Sequence, residues 1–118
     1  MWSIGVIIYI LLGGYPPFHE NRQTLLFRKI RAGKFEFHNE YWGSISSDAQ
    51  DLITRLLTVD ISKRLTAAEA IVHPWLLSKD SDLAARSLEK NFEQLKLFNA
   101  RRKLCAAIHS IITTFRYA

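Results

Sequence analysis

The longest apolar run opens the chain. MWSIGVIIYILL, residues 1–12, holds no charged side chain and is closed by Gly13-Gly14. A continuous run of this length predicts a helix buried on all sides and ended by the glycine pair. No basic stretch precedes the run, no small-x-small cleavage site follows it, and it falls short of the ~20 residues that span a bilayer. Signal-peptide and membrane-span readings are therefore set aside. Pro16 and Pro17 then make a turn.

Helical spacing returns at Leu26, Phe27 and Ile30. It predicts a second helix from about Asn21 to Ala32, capped by Asn21 and ended by Gly33. Lys34 to Ser46 breaks every period and reads as a loop pinned by Phe35, Phe37, Tyr41 and Trp42. Ser47-Asp48-Ala49-Gln50 has the form of a capping box, and Leu52, Ile53, Leu56 and Leu57 follow at helical spacing. Thr66-Ala67-Ala68-Glu69 is a second capping box, opening a shorter helix that Pro74 stops. SKDSDL, residues 78–83, reads as a polar linker, and from about Ala84 a helical pattern runs almost to the C-terminus. No stretch carries the strand period, so the predicted fold class is all-α.

Composition narrows this little. With 118 residues, 48% apolar and 23% charged, the chain suits one small domain or part of a larger one, and it does not read as disordered. The single cysteine, Cys105, excludes an internal disulfide and fits a reducing compartment; a cytoplasmic placement is expected. Charge is more informative. Residues 79–118 hold eight Lys/Arg against four Asp/Glu, residues 1–78 eight against seven, and from Leu95 onward five cations stand with no acid. A locally basic tail predicts an acidic partner for the tail, not a nucleic-acid surface over the whole domain.

No set of residues with catalytic spacing is present. There is no Gly-rich phosphate cradle, no G-x-S-x-G, and no C-x-x-C or H-x-x-x-H pair. His19, His38, His73 and His109 are scattered and read as surface or packing side chains, while Glu69 and Asp60 read as cap and turn residues.

The C-terminal helix is more distinctive. Set at 100° per residue, Leu97, Leu104, Ile108, Ile111 and Phe115 share one narrow face with Ile112 beside it, whereas Leu88, Phe92 and Leu95 lie about half a turn away. The change of face predicts two successive surfaces, the first for the domain and the second for something else. Spacing alone leaves three readings open: packing on its own domain, insertion into an acidic partner's greasy groove, or a membrane surface or short nuclear signal.

MWSIGVIIYILLGGYPPF resembles the central helix of the large lobe of a protein kinase with its following loop. SSDAQDLITRLLTVDISKRLTAAEAIVHPWL resembles the last two helices of that lobe, ending in an R-x-T-A-x-E-A…H-P-W signature. The wording is closest to the calcium/calmodulin-dependent Ser/Thr protein kinases, and FNARRKL, residues 98–104, is similar to their type II regulatory segment.

The resemblance implies the C-terminal part of the helical large lobe over residues 1–77, a linker over 78–83, and an autoinhibitory, calmodulin-binding helix over 84–118. The implied partners are calcium-loaded calmodulin, through Phe98, Arg101, Arg102, Lys103, Leu104, Ile108, Ile111, Ile112 and Phe115, and, for the complete enzyme, protein substrates. Nucleic acid is not an implied partner. Trp2 and Arg64 are the implied structural residues. ATP and Mg²⁺ belong to motifs that precede these residues in the family, so this chain is expected to hold neither and to be inactive alone. The family's central helix begins one residue before the position of Met1, which is expected to be an internal methionine of a truncated gene model, a genuine short product being the alternative. In the family the Arg at position 64 pairs with a Glu that this chain lacks. Loss of that partner, and exposure of Ile7, Ile8, Tyr9 and Leu11 in some combination, predicts a chain that folds poorly alone or aggregates. The position of the family's autophosphorylated Thr is Asn91, so phosphorylation-based memory is not implied. The rival class is a non-catalytic calmodulin-binding fragment or pseudokinase scaffold.

Overall fold

A computed structural model describes residues 1–78 and 88–117. The predicted linker after Ser78, and the predicted helix start at Ala84, lie outside the described residues. The described residues form six helices in order: α1 (Trp2–Gly13), α2 (Gln23–Ala32), α3 (Asn39–Trp42), α4 (Ser47–Leu56), α5 (Ala67–Ile71) and α6 (Glu89–Tyr117). The described residues contain no strand, in line with the all-α expectation.

Only one side of α1 is covered. Gly5, Tyr9 and Gly13, four residues apart, are buried. Neighbouring contacts come from α4, α6 and α3. On the opposite side Ile4, Ile7 and Leu11 are exposed, and Ile8 is half-buried. The expected all-round burial is thus corrected: among the described residues nothing lies over the Ile4–Ile7–Leu11 stripe, and of the residues expected to be uncovered Tyr9 is fully buried. Gly14 ends the helix at φ 79°, donating its N–H to the Ile10 carbonyl, as the glycine pair predicted.

Tyr9 is the hub of an aromatic layer. Its ring centre lies 4.7 Å from Trp42, 5.3 Å from Tyr15 and 5.7 Å from Phe37. Its hydroxyl donates to the Glu36 carbonyl at 2.6 Å, and burial holds its pKa well above the phenol range. The Trp42 indole N–H donates to the Tyr15 hydroxyl at 3.0 Å. The loop after α2 is therefore pinned by its aromatics as expected, with the short α3 built into it.

Leu52, Ile53, Leu56 and Leu57 are all buried, as their spacing predicted. The cap of α4 differs from the expected one. Ser46, not Ser47, sits in the extended cap conformation and accepts from the Ala49 N–H at 3.2 Å. Gln50 is drawn off to donate to the Trp42 and Ile45 carbonyls, so it closes no capping box. The box at Thr66–Glu69 is present in full. At α2 the expected Asn21 cap is also corrected: the helix starts from Arg22 with no side-chain cap, and Phe27, placed on the expected stripe, is exposed while Leu26 and Ile30 are half-buried.

His73 is a packing histidine. Its Nε2 lies 3.0 Å from Asp51 Oδ2, and its Nδ1 accepts from the Trp75 N–H at 3.2 Å. Nδ1 as acceptor places the proton on Nε2, which donates to the carboxylate. That hydrogen bond, with Arg55 adding to it, holds the Asp51 pKa below the usual carboxylate range. Asp60 accepts from the Ser62 N–H and hydroxyl, a turn role as expected.

Arg64 differs from expectation. Instead of a buried charge without a partner it is half-buried, with Nε donating to the Thr58 carbonyl at 2.8 Å and Nη2 to the Val59 carbonyl at 3.1 Å. The guanidinium carbon lies 5.1 Å from the Trp2 ring centre. Thus Trp2 and Arg64 clasp the start of α1 to the turn after α4.

Candidate functional site

At 1.5 Å per residue the 29-residue α6 is about 43 Å long, much of the molecule's 55 Å longest extent. Its two halves meet different surroundings. From Glu89 to Phe98 one stripe touches the rest of the chain: Asn91 is buried, and Gln94, Leu95 and Phe98 are half-buried. From Asn99 to Tyr117 every residue is exposed.

The docked stripe is not the predicted one. Leu88 and Phe92 are exposed, and only Leu95 of that trio faces inward. The crossing point explains the rotation. Gly14 has no Cβ, and one built there would meet Gln94 Cβ at 2.7 Å and the Leu95 amide nitrogen at 2.8 Å. The helix therefore lies directly on the main chain of the turn, and that contact selects the face. Asn91, a turn earlier, donates from Nδ2 to the Tyr41 carbonyl at 2.5 Å. Phe92 lies instead against its own neighbour, the Lys96 ammonium, 4.4 Å from its ring centre.

The predicted partner-binding residues divide accordingly. Leu104, Ile108, Ile111, Ile112 and Phe115 are 46–80% exposed, on or beside one continuous face that also takes in Leu97. Arg101, Arg102 and Lys103 are exposed, and among the described residues no carboxylate forms an ion pair with them. Phe98 stands apart, on the docked stripe. It lines an open cleft of about 600 Å³ with Tyr15, Pro16, Arg101 and Arg102 between α6 and the turn after α1. Two anchors were missed from the sequence, Gly14 as the crossing point and Asn91 as a buried donor. A polar side chain a quarter-turn from either apolar face carries no periodic signal.

A free apolar face of five large side chains, bordered by three cations, can insert into a groove that is greasy within and acidic at its rim. No helix among the described residues is long and apolar enough to cross a membrane, and none of their His, Cys, Asp and Glu side chains cluster as a metal site.

Residues 1–76 match the family described as protein kinase domain. The chain belongs to the protein kinase family. Its helices are the C-terminal part of the kinase's helical large lobe, followed by one long helix. Among curated proteins this kinase chain is similar to the delta subunit of calcium/calmodulin-dependent protein kinase type II from Oryctolagus cuniculus, at 44% identity over 108 residues. The aligned region is 92% of this chain and 20% of the relative, so the chain spans about a fifth of the curated kinase it matches.

Proposed function

We propose that the chain is the C-terminal part of a calcium/calmodulin-dependent Ser/Thr protein kinase, in which α6 blocks substrate access until calcium-loaded calmodulin takes its distal half. The observation that carries this reading is the exposed face of Leu104, Ile108, Ile111 and Phe115 beside Arg101, Arg102 and Lys103. Exposing this much apolar surface on a helix is costly unless a partner covers it. Helix-in-groove recognition by a Met-rich, acid-rimmed protein uses both the anchors and the cations. The similarity to a calcium/calmodulin-dependent kinase supports calmodulin as a partner of that chemistry.

The same reading divides the chain into the kinase part at 1–77, a linker at 78–83 and the regulatory helix at 84–118. On this reading ATP and Mg²⁺ belong to motifs of the complete enzyme, such as the Gly-rich loop, which this sequence does not contain. Phosphoryl transfer to protein substrates belongs, on this reading, to residues of the complete enzyme outside this chain. What this chain contributes is control. Phe98 is shared, lying on the docked stripe and in the calmodulin-binding set, so calmodulin that takes Phe98 with the distal face binds the undocked helix and shifts the population toward the open enzyme.

The test is activity of the complete protein toward a Ser/Thr peptide, with and without calcium-calmodulin. Activity that requires calmodulin in the wild type, and loses that response in Leu104→Asp/Ile108→Asp, supports the proposal. Calmodulin binding with no activity under any condition indicates the pseudokinase scaffold, and no binding at all overturns the reading.

A further inference from the structure

Asn91 and His73 are the two buried polar side chains among the described residues, and they differ in kind. His73 sits within the lobe, whereas Asn91, 3% exposed, joins two parts of the chain fifty residues apart. Its carboxamide N–H reaches the Tyr41 carbonyl at 2.5 Å, so the start of α6 is tied to the end of the aromatic loop. Gln94 and Leu95 then rest on Gly14, and Phe98 closes the stripe. Past Phe98 every described residue of the helix is exposed. Among the described residues, one hydrogen bond and about two turns of packing thus hold the proximal helix, and none holds the distal one. A carboxamide donor does not titrate in the physiological range and offers no hydroxyl to phosphorylate.

We propose that Asn91 is a permanent clasp: it sets how firmly the proximal half of α6 stays on the lobe, and only a partner seizing the distal face releases it. The inference rests on the reading of that face as calmodulin-binding and adds the residue that opposes release. If calmodulin binds only undocked helix, its apparent Kd is raised by the reciprocal of the undocked fraction, and weakening the clasp tightens binding. Asn91→Leu fills similar space but leaves the Tyr41 carbonyl unpaired. Asn91→Asp sets a second acceptor against it. A buried group left without its partner loses enough to shift docking by roughly tenfold.

The experiment uses the complete protein. Amide hydrogen exchange over residues 89–98, without partner, is compared among wild type, Asn91→Leu and Asn91→Asp, with residues 47–57 as the internal reference. Calcium-calmodulin is then titrated into each. The expected result is roughly tenfold faster exchange at 89–98 in both variants, an unchanged reference, and calmodulin affinity tightened by a similar factor. Should Asn91→Asp also speed the reference, the lobe itself has loosened, and the uncharged Asn91→Leu decides. Unchanged exchange at 89–98 overturns the clasp whatever calmodulin does. Faster exchange with no change in calmodulin affinity overturns the opposition to release. Faster exchange with no calmodulin binding even in the wild type supports the clasp and overturns the reading of the distal face.

Discussion

Gly14→Ala tests how α6 is seated. Gly14 occupies the left-handed region at φ 79°, where an L-residue costs about 1–2 kcal/mol. The new methyl would also meet Gln94 Cβ at 2.7 Å and the Leu95 nitrogen at 2.8 Å, against a comfortable carbon separation of about 3.5–4.0 Å. The far side of that contact is the main chain of α6, which cannot turn aside as a side-chain tip can. The helix must back away by about 1 Å, which carries the Asn91–Tyr41 bond from 2.5 Å to the edge of hydrogen-bonding range. Losing that bond and the Phe98 packing costs the docked state about 2 kcal/mol, a shift of about 30-fold. Gly33→Ala is the matched control. It carries the same backbone penalty at φ 62°, and its methyl would meet Val59 Cγ2 at 2.6 Å, away from α6. Trypsin cleavage of the complete protein separates the two, because helical sites are cut only after local opening. Gly14→Ala is expected to speed cleavage at Lys90 and Lys96, and Gly33→Ala at Lys29 and Arg31. Equal rates at Lys90 in wild type and Gly14→Ala would refute the seating of α6 on this turn.

Other predictions concern the lobe. Ser46→Ala removes the observed cap of α4 and is expected to cost about 1 kcal/mol in denaturant titration, while Ser47→Ala is expected to change the midpoint little; the reverse order would restore the cap position read from the sequence. The depressed pKa of Asp51 implies stability that is fully present above its ordinary value of 3.8 and is lost as pH falls through the lower folded-state value. Urea midpoints between pH 2 and 6 are expected to flatten in this region for Asp51→Asn, and an unchanged profile would remove Asp51 from the acid response. The 118-residue chain, with Ile4, Ile7 and Leu11 exposed on α1, is expected to self-associate, and Ile7→Lys/Leu11→Glu to lower its light-scattering mass.

Where one strong period governed an element, it was legible. Leu52, Ile53, Leu56 and Leu57 announced the buried face of α4, the Thr66–Glu69 box announced α5, and Gly13-Gly14 announced the end of α1. Errors arose where two local signals competed. Ser46 and Ser47 both suit a cap, and only the demand for Gln50 at the Trp42 and Ile45 carbonyls decides between them. The rotation of α6 was illegible for a related reason. Hydrophobic periodicity assumes that large apolar side chains make the contact, but at Gly14 the contact is main chain on helix, and at Asn91 it is a hydrogen bond. The distal face is exposed throughout, so no packing among the described residues tests its register. At Arg64 the carbonyls of Thr58 and Val59 and the Trp2 ring engage the guanidinium, contacts that no motif in the sequence announced.

The most direct test of the central claim is calorimetric titration of calmodulin into the complete protein, in calcium and again in a calcium chelator, for wild type and for Leu104→Asp/Ile108→Asp/Phe115→Asp. The predicted result is tight binding in calcium, none in chelator, and loss of at least about a hundredfold in the triple variant, as expected when buried apolar anchors are replaced by charge. Equal binding by wild type and variant, or none by either, would contradict the assignment of the distal face of α6 as the calmodulin site.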